Sequence, residues 1–268
     1  MQVQRYRDNI IEGTVSPLIH TGKTKEKKMG DTVKLTIDGR TVEAEAGTSV
    51  LNAARDANIH IPALCSNDEL KPYGACRMCM VEVTQNGRTK MVASCMYTVA
   101  EGLEVKTKTE RVLNVRKLVI ELLLARNPNS PVLREIADEL GVKETPFEIN
   151  FTGCILCGQC VRTCREVVGV SAIDFEGRGL TRRVATPFND SPPDCIACGA
   201  CHFVCPVQVI PMKEENGVRT IWETEFPLQK CKVCGRYFAP TKQLDYFSEK
   251  LNIPREHFDV CPDCRSKL

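Results

Sequence analysis

No run in this 268-residue sequence approaches the ~20 consecutive apolar residues that cross a bilayer. The longest, from Leu118 to Ala125, is broken by Glu121, so no membrane span is expected. Residues Met1 to Arg7 are polar and lack the apolar core of a secretory signal, which leads to the expectation of a cytoplasmic location. An excess of one charge is also missing. The 36 Lys and Arg against 34 Asp and Glu leave a formal charge of +2, and aromatics make up only 6%. That balance gives no electrostatic footprint for nucleic acid or an acidic membrane surface. No GxGxxG follows a strand pattern, so no dinucleotide site is expected in the chain itself. Histidine is sparse too: His20, His60, His202 and His257 show no metal-ligand spacing. His202 lies inside a cysteine run and is read as a packing or surface residue rather than a proton-coupled group.

Cysteine is abundant, with 16 residues, and most of them recur at i, i+3 and i+6. Disulfide scaffolds are typically short, secreted and loop-rich. Runs at this spacing instead crowd thiols around a common centre, which suits a metal or cluster. A reducing compartment would keep them as thiols, and the thiolate is the metal-binding form.

The patterning divides the chain into an α+β arrangement. Residues 1–30 form an extension with a basic stretch (Lys23, Lys25, Lys27, Lys28) before Met29, expected to be disordered. From Val33 the alternation of Val33, Leu35 and Ile37, the Asp38-Gly39 turn, and Val42 and Ala44 on the return predict a hairpin. Thr48 or Ser49 caps a short helix over 50–57. A cysteine loop follows, then a strand from Met80, a turn at Asn86-Gly87 and a second strand reaching Cys95. That order is a β-grasp domain over 31–108. Val112, Val115, Leu118, Val119 and Leu122 recur at a helical period. Ser130, Pro131 and Gly141 bound a second helix. Together these form a helical bridge over 109–149. Cysteines define the rest: a two-cluster domain at 150–220 and a ribbon at 228–268.

The first set is Cys65, Cys76, Cys79 and Cys95. Four thiolates are the usual holder of a [2Fe-2S] cluster, with structural zinc as the competing reading. Small Gly74 and Ala75 would let backbone N–H groups approach the sulfides. The second and third sets are near copies, Cys154, Cys157, Cys160, Cys164 and Cys195, Cys198, Cys201, Cys205. This is the run of two-cluster bacterial ferredoxins, in which the fourth cysteine of each run serves the other cluster. One [4Fe-4S] cluster is thus expected on Cys154, Cys157, Cys160 and Cys205, and another on Cys164, Cys195, Cys198 and Cys201. The first run has Arg165 where the motif usually has a proline, which leaves its local turn open. The last set, Cys231, Cys234, Cys261 and Cys264, forms two CxxC knuckles that suit one tetrahedral zinc. A third [4Fe-4S] cluster is the alternative.

The segment Cys65 … Tyr73-Gly74-Ala75-Cys76-Arg77-Met78-Cys79-Met80-Val81-Glu82-Val83 … Ala93-Ser94-Cys95 resembles the [2Fe-2S] domain of several large redox subunits. These are the large iron–sulfur subunit of respiratory complex I, the diaphorase iron–sulfur subunit of NAD-reducing hydrogenases, and the amino-terminal parts of [FeFe] hydrogenases and NAD-dependent formate dehydrogenases. The resemblance covers roughly residues 33–215, including the helix after the first domain and the two-cluster run. Those families usually carry a further cluster with one His and three Cys ligands between the two domains. Here 96–153 holds neither residue type.

The resemblance implies a non-catalytic electron-transfer subunit. It would work between an NAD(H)/flavin subunit and a hydrogenase, formate dehydrogenase or ferredoxin partner, in a complex that could bifurcate electrons, with catalysis on another polypeptide. A succinate-dehydrogenase-like iron–sulfur subunit is similar in layout, but its usual three-iron cluster does not match the complete runs here. A free multi-cluster carrier and a zinc-rich binding module are the remaining alternatives.

Overall fold

The computed structural model describes residues 31–147 and 153–267. The expected disordered extension at 1–30 and the start of the two-cluster segment lie outside the described residues.

Strands β1 (Thr32–Ile37) and β2 (Arg40–Glu45) pair antiparallel. Their two-residue turn has positive φ at both Asp38 (47°) and Gly39 (81°), the geometry whose twist matches a hairpin. Helix α1 (Val50–Asp56) starts at Ser49, whose hydroxyl accepts from the Asn52 N–H at 3.2 Å. β3 (Met80–Gln85) and β4 (Arg88–Ala93) form the second hairpin. β4 stops two residues short of Cys95, because the chain turns there with Met96 N–H donating to Ala93 O at 2.9 Å. β5 (Glu104–Lys106) completes a sheet of order β2-β1-β5-β3-β4, in which β1 and β5 run parallel. Alternation buries Leu35, Ile37, Val42, Val81, Val83 and Val105 against the inner face of α1.

Helix α2 (Glu110–Arg126) is capped by Thr109, which accepts from Val112 N–H at 3.2 Å. In α3 (Pro131–Glu139), Ser130 occupies the expected cap position but makes no cap hydrogen bond, and its buried hydroxyl has no partner. The preset backbone of Pro131 in the first turn therefore supports this start in place of a side-chain cap. The inner faces of α2 and α3 share one apolar core with two cysteine sets: Ile120, Leu124 and Leu133 lie with Cys65, Cys76, Cys157 and Cys205.

Helix α4 (Gln159–Arg162) continues as a π-helical turn over Thr163–Val168. The short hairpin β6 (Asp174–Glu176) and β7 (Arg183–Ala185) follows, then α5 (Ala200–Phe203). Pro206 cannot extend a helix past Cys205, because it has no N–H to donate. Arg165 can, which resolves the local turn left open by the missing proline. Strands β8 (Met212–Glu215), β9 (Val218–Ile221), β10 (Thr224–Lys230) and β11 (Tyr237–Pro240) form a second sheet, order β11-β10-β9-β8. Strand pairing therefore runs without a break from the two-cluster segment into the carboxy-terminal ribbon. Helix α6 (Thr241–Leu251) then fastens to the π-turn: Tyr246 Oη and Lys250 Nζ both donate to Val168 O, at 2.8 and 3.2 Å. Helix α7 (Pro262–Arg265) ends the described chain. No helix among the described residues is long and apolar enough to cross a membrane.

Candidate metal centres

Cys65, Cys76, Cys79 and Cys95 are all buried although they come from a long loop and the turn after β4. Backbone N–H groups point at their sulfurs: Cys76 N donates to Cys65 Sγ and Leu64 N to Cys76 Sγ, each at 3.4 Å. Hydrogen bonds from the Cys76 and Cys95 thiols hold the Cys65 thiol far below its ordinary range. The Cys95 thiol lowers Cys79 to about 6. Cys76 and Cys95 move the opposite way, chiefly through their bonds to Cys65, and burial reinforces both shifts. Four thiols buried this close to one another cannot all ionise without a countercharge. Ferric iron supplies that countercharge, so the donor set fits a [2Fe-2S] group. Gly74 (φ +70°) permits a close turn here, since a Cβ would lie 2.8 Å from Met96 Cγ.

The two longer runs adopt matching backbones. Leu156 and Ala197 both sit at φ 53°, and Gly158 and Gly199 at 73° and 76°. Each left-handed residue at 156 and 197 turns its N–H onto the cysteine two before it: Cys154 Sγ and Cys195 Sγ each accept at 3.4 Å. Cys205 acts electrostatically on Cys154, Cys157 and Cys160, and Cys164 on Cys195, Cys198 and Cys201. A small cavity of about 20 Å³ is lined by Cys164, Cys195, Cys198 and Cys201, with Ile196 and Trp222 in its wall. Burial pushes Cys157 and Cys201 up to about 12 and Cys198 to about 11. Thiols buried this way bind a metal only by giving up their protons to it. This donor set fits cubane clusters.

At the ribbon, the ligand atoms of Cys231, Cys234, Cys261 and Cys264 lie within 4.8 Å of one another, with Cys234 Sγ and Cys261 Sγ 3.8 Å apart. Two thiolates on one tetrahedral zinc, at about 2.3 Å each, stand about 3.8 Å apart. A cubane gives every thiolate its own iron and spreads the sulfurs more widely. Gly235 turns with φ 73° and closes a bond from its N–H to Cys231 O at 3.0 Å.

Among the described residues, the histidines are held by other contacts. His202 Nδ1 bonds Ile210 O at 2.6 Å, His60 lies 3.7 Å from Glu139, and His257 meets Phe258 edge-on. His20 lies outside the described residues.

Sequence reasoning missed a set of arginines. Arg116 donates twice to Met80 O (3.1 and 2.7 Å), Arg126 to Cys154 O (2.8 Å) and Arg219 to Ala197 O (2.6 Å). Arg162 reaches from α4 to the carbonyls of Cys65 (3.4 Å) and Lys71. It also missed Trp222, which lines the same cavity as Cys201 from a hairpin turn with positive φ at both Trp222 and Glu223. Neither residue type at these positions carries a spacing signal. Only the folded chain brings them to the thiols.

The family model for a 2Fe-2S iron-sulfur cluster binding domain matches residues 30–110. NADP-reducing hydrogenase subunit HndD of Solidesulfovibrio fructosivorans is 32% identical over 221 residues, 70% of this chain and 37% of that protein. NADPH-Fe(3+) oxidoreductase subunit alpha of Geobacter sulfurreducens is 29% identical and matches 83% of this chain and 29% of that protein. The mitochondrial NADH-ubiquinone oxidoreductase 78 kDa subunit of Candida albicans is 33% identical over 218 residues, 71% of this chain and 30% of that protein. This chain therefore spans between 29% and 37% of the length of these relatives. Among solved structures, an NAD+-reducing [NiFe]-hydrogenase in the H2-reduced state aligns with a TM-score of 0.51 at 30% identity. The alignment covers 57% of this chain and 74% of that one.

Proposed function

Because this chain belongs to the family of [2Fe-2S] iron–sulfur subunits that includes the 78 kDa NADH-ubiquinone oxidoreductase subunit and the NAD(P)-linked hydrogenase subunits, we propose that it is an electron-relay subunit of such a complex. It would hold one [2Fe-2S] cluster on Cys65, Cys76, Cys79 and Cys95. One [4Fe-4S] cluster would sit on Cys154, Cys157, Cys160 and Cys205, and a second on Cys164, Cys195, Cys198 and Cys201. The ribbon cysteines would hold a zinc, a reading supported by the 3.8 Å sulfur separation.

The observation that carries the relay is the shared core. Cys65 and Cys76 of one set are buried in the same apolar cluster as Cys157 and Cys205 of the next, and Cys160 and Cys195 meet in the adjoining one. The order along the relay is therefore [2Fe-2S], first [4Fe-4S], second [4Fe-4S]. When bound, these groups accept and return single electrons. The chain's own residues hold the ligands, exclude water through Ile155, Ile196 and Val161, and aim backbone N–H groups at the sulfurs. Apolar burial disfavours added charge and lowers a cluster's potential, and hydrogen bonds raise it. The partners would be a flavin- and NAD(H)-binding subunit on one side and a hydrogenase, formate dehydrogenase or ferredoxin on the other, in the cytoplasm.

Anaerobic purification from the native host tests this reading, with subunits identified and metals counted. The expected result is co-purification with a flavoprotein, about ten iron atoms and one zinc. Recovery of the chain alone, fully loaded, would make it a free carrier. About fourteen iron atoms and no zinc would turn the ribbon into a third cubane site.

A further inference from the structure

We propose that Arg162 is a shared electrostatic tuner: a fixed buried cation between two cysteine loops that favours the reduced state of both metal centres those loops hold. The inference rests on the cluster assignment proposed above.

Arg162 lies between Cys160 and Cys164, within the first of the longer runs, and is only 3% exposed. Its guanidinium leaves that run. One nitrogen donates to Cys65 O at 3.4 Å and another donates to Lys71 O, and both acceptors belong to the [2Fe-2S] loop. The guanidinium also stacks over the Tyr73 ring, 5.0 Å from its centroid. The other three arginines bond the cysteine loops from outside the runs: Arg116 and Arg126 from α2, Arg219 from β9. Among these four, Arg162 is the one that sits in one cluster run and bonds another.

Carbonyls and a ring face satisfy the donors of Arg162 without cancelling its charge. The compensating carboxylate is Glu166, with Oε1 3.7 Å from Nε. Glu166 Oε1 is also shared with Arg165 at 3.8 Å, so its negative charge is divided between two guanidiniums. A buried charge is poorly screened by salt, and a guanidinium stays protonated at any working pH. One-electron reduction adds one negative charge to a centre and transfers no atom. A fixed cation beside it favours that state and raises the potential. Placed between two centres, it raises both.

The test uses the full chain, reconstituted anaerobically with iron and sulfide and titrated with dithionite under EPR, so that each centre's midpoint potential is read separately. Arg162→Gln keeps hydrogen-bond donors but removes the charge. It is expected to lower the potentials of the [2Fe-2S] centre and the adjacent [4Fe-4S] centre by a several-fold to tenfold change in the one-electron equilibrium. Tenfold is about 59 mV. Arg162→Lys is expected to restore most of both shifts. Glu166→Gln should raise both potentials, while its amide still accepts from Lys71 N–H, which bonds Glu166 Oε2 at 3.3 Å. Unmoved potentials in Arg162→Gln at wild-type iron content would overturn the proposal, and so would a shift at one centre alone or a failure of lysine to restore it. If Arg162→Gln does not assemble, Glu166→Gln decides: a rise at both centres supports the tuner and no rise overturns it. If the wild-type chain itself lacks the cluster signals, the cluster assignment fails before the tuner is reached.

Discussion

The side-chain amide of Gln159 donates to the carbonyl of Leu64 at 2.7 Å, tying the residue before Cys65 to the residue before Cys160. Both ends are buried, so the bond pins the [2Fe-2S] loop to the next cysteine run. Asn67 Nδ2 adds a second link to Gln159 Oε1 at 3.4 Å.

Gln159→Leu removes the donor and leaves a buried carbonyl unpaired, at a cost of about 1–3 kcal/mol. The expected result is a lower thermal midpoint with clusters still loaded. An unchanged midpoint would show that the two loops are held by packing alone.

Leu124 and Leu133 are buried in the core that the bridge helices share with Cys65 and Cys157. Leu124→Ala should cost about 2–5 kcal/mol. The loss of cluster absorbance on heating should coincide with the loss of helical signal, both at a lower temperature than in the wild type. Two separate transitions would show that the bridge folds independently of the cysteine loops.

The chain has one tryptophan, Trp222, in the wall of the cavity lined by Cys164, Cys195, Cys198 and Cys201. Intrinsic tryptophan fluorescence should be strongly quenched in the loaded protein and recover when iron is removed. Cys198→Ser should raise it in otherwise loaded protein. Emission that ignores the metal content of the protein would count against the proposed cluster at this cavity.

At the ribbon, hydrogen bonds from the Cys261 and Cys234 thiols push the Cys264 thiol up to about 12. A zinc held by all four thiolates, as proposed for the ribbon, would have to displace the Cys264 proton on binding. Zinc affinity should rise about tenfold per pH unit for each proton released. Chelator competition at pH 6.5 and 7.5 measures this, and affinity independent of pH would mean that no protonated thiol becomes a ligand, which would remove Cys264 from the site. Removing the metal should loosen the ribbon while leaving the cluster iron in place.

Gly158 sits at φ +73°, where a Cβ would approach Tyr73 Cε1 to 3.0 Å. Gly158→Ala should destabilise by about 1–2 kcal/mol from the left-handed backbone alone. A neutral result in a thermal melt would mean that the turn can relax.

The grouping of the cysteines was legible in the sequence because thiols at i, i+3 and i+6 stay near one another wherever the chain goes. The hairpins were legible for a similar reason, since Asp38-Gly39 and Asn86-Gly87 are among the few dipeptides that tolerate positive φ twice. The turn at Trp222-Glu223 has the same backbone without that chemistry, and its signal was absent. Ser130 takes the cap position that the sequence predicts but makes no side-chain cap bond, because a local motif cannot say whether the hydroxyl will meet an N–H.

Local sequence thus determined how the cysteines are grouped along the chain and where the hairpins turn, because spacing and turn chemistry act over a few residues. Tertiary structure alone decided which groups adjoin and which charges attend them. Cys65 shares a core with Cys157, and Arg162 bonds a loop about ninety residues away in sequence. These are long-range contacts set by burying α2 and α3 between the cysteine loops, and apolar burial is non-directional. It leaves no spacing in the sequence from which such neighbours could be read.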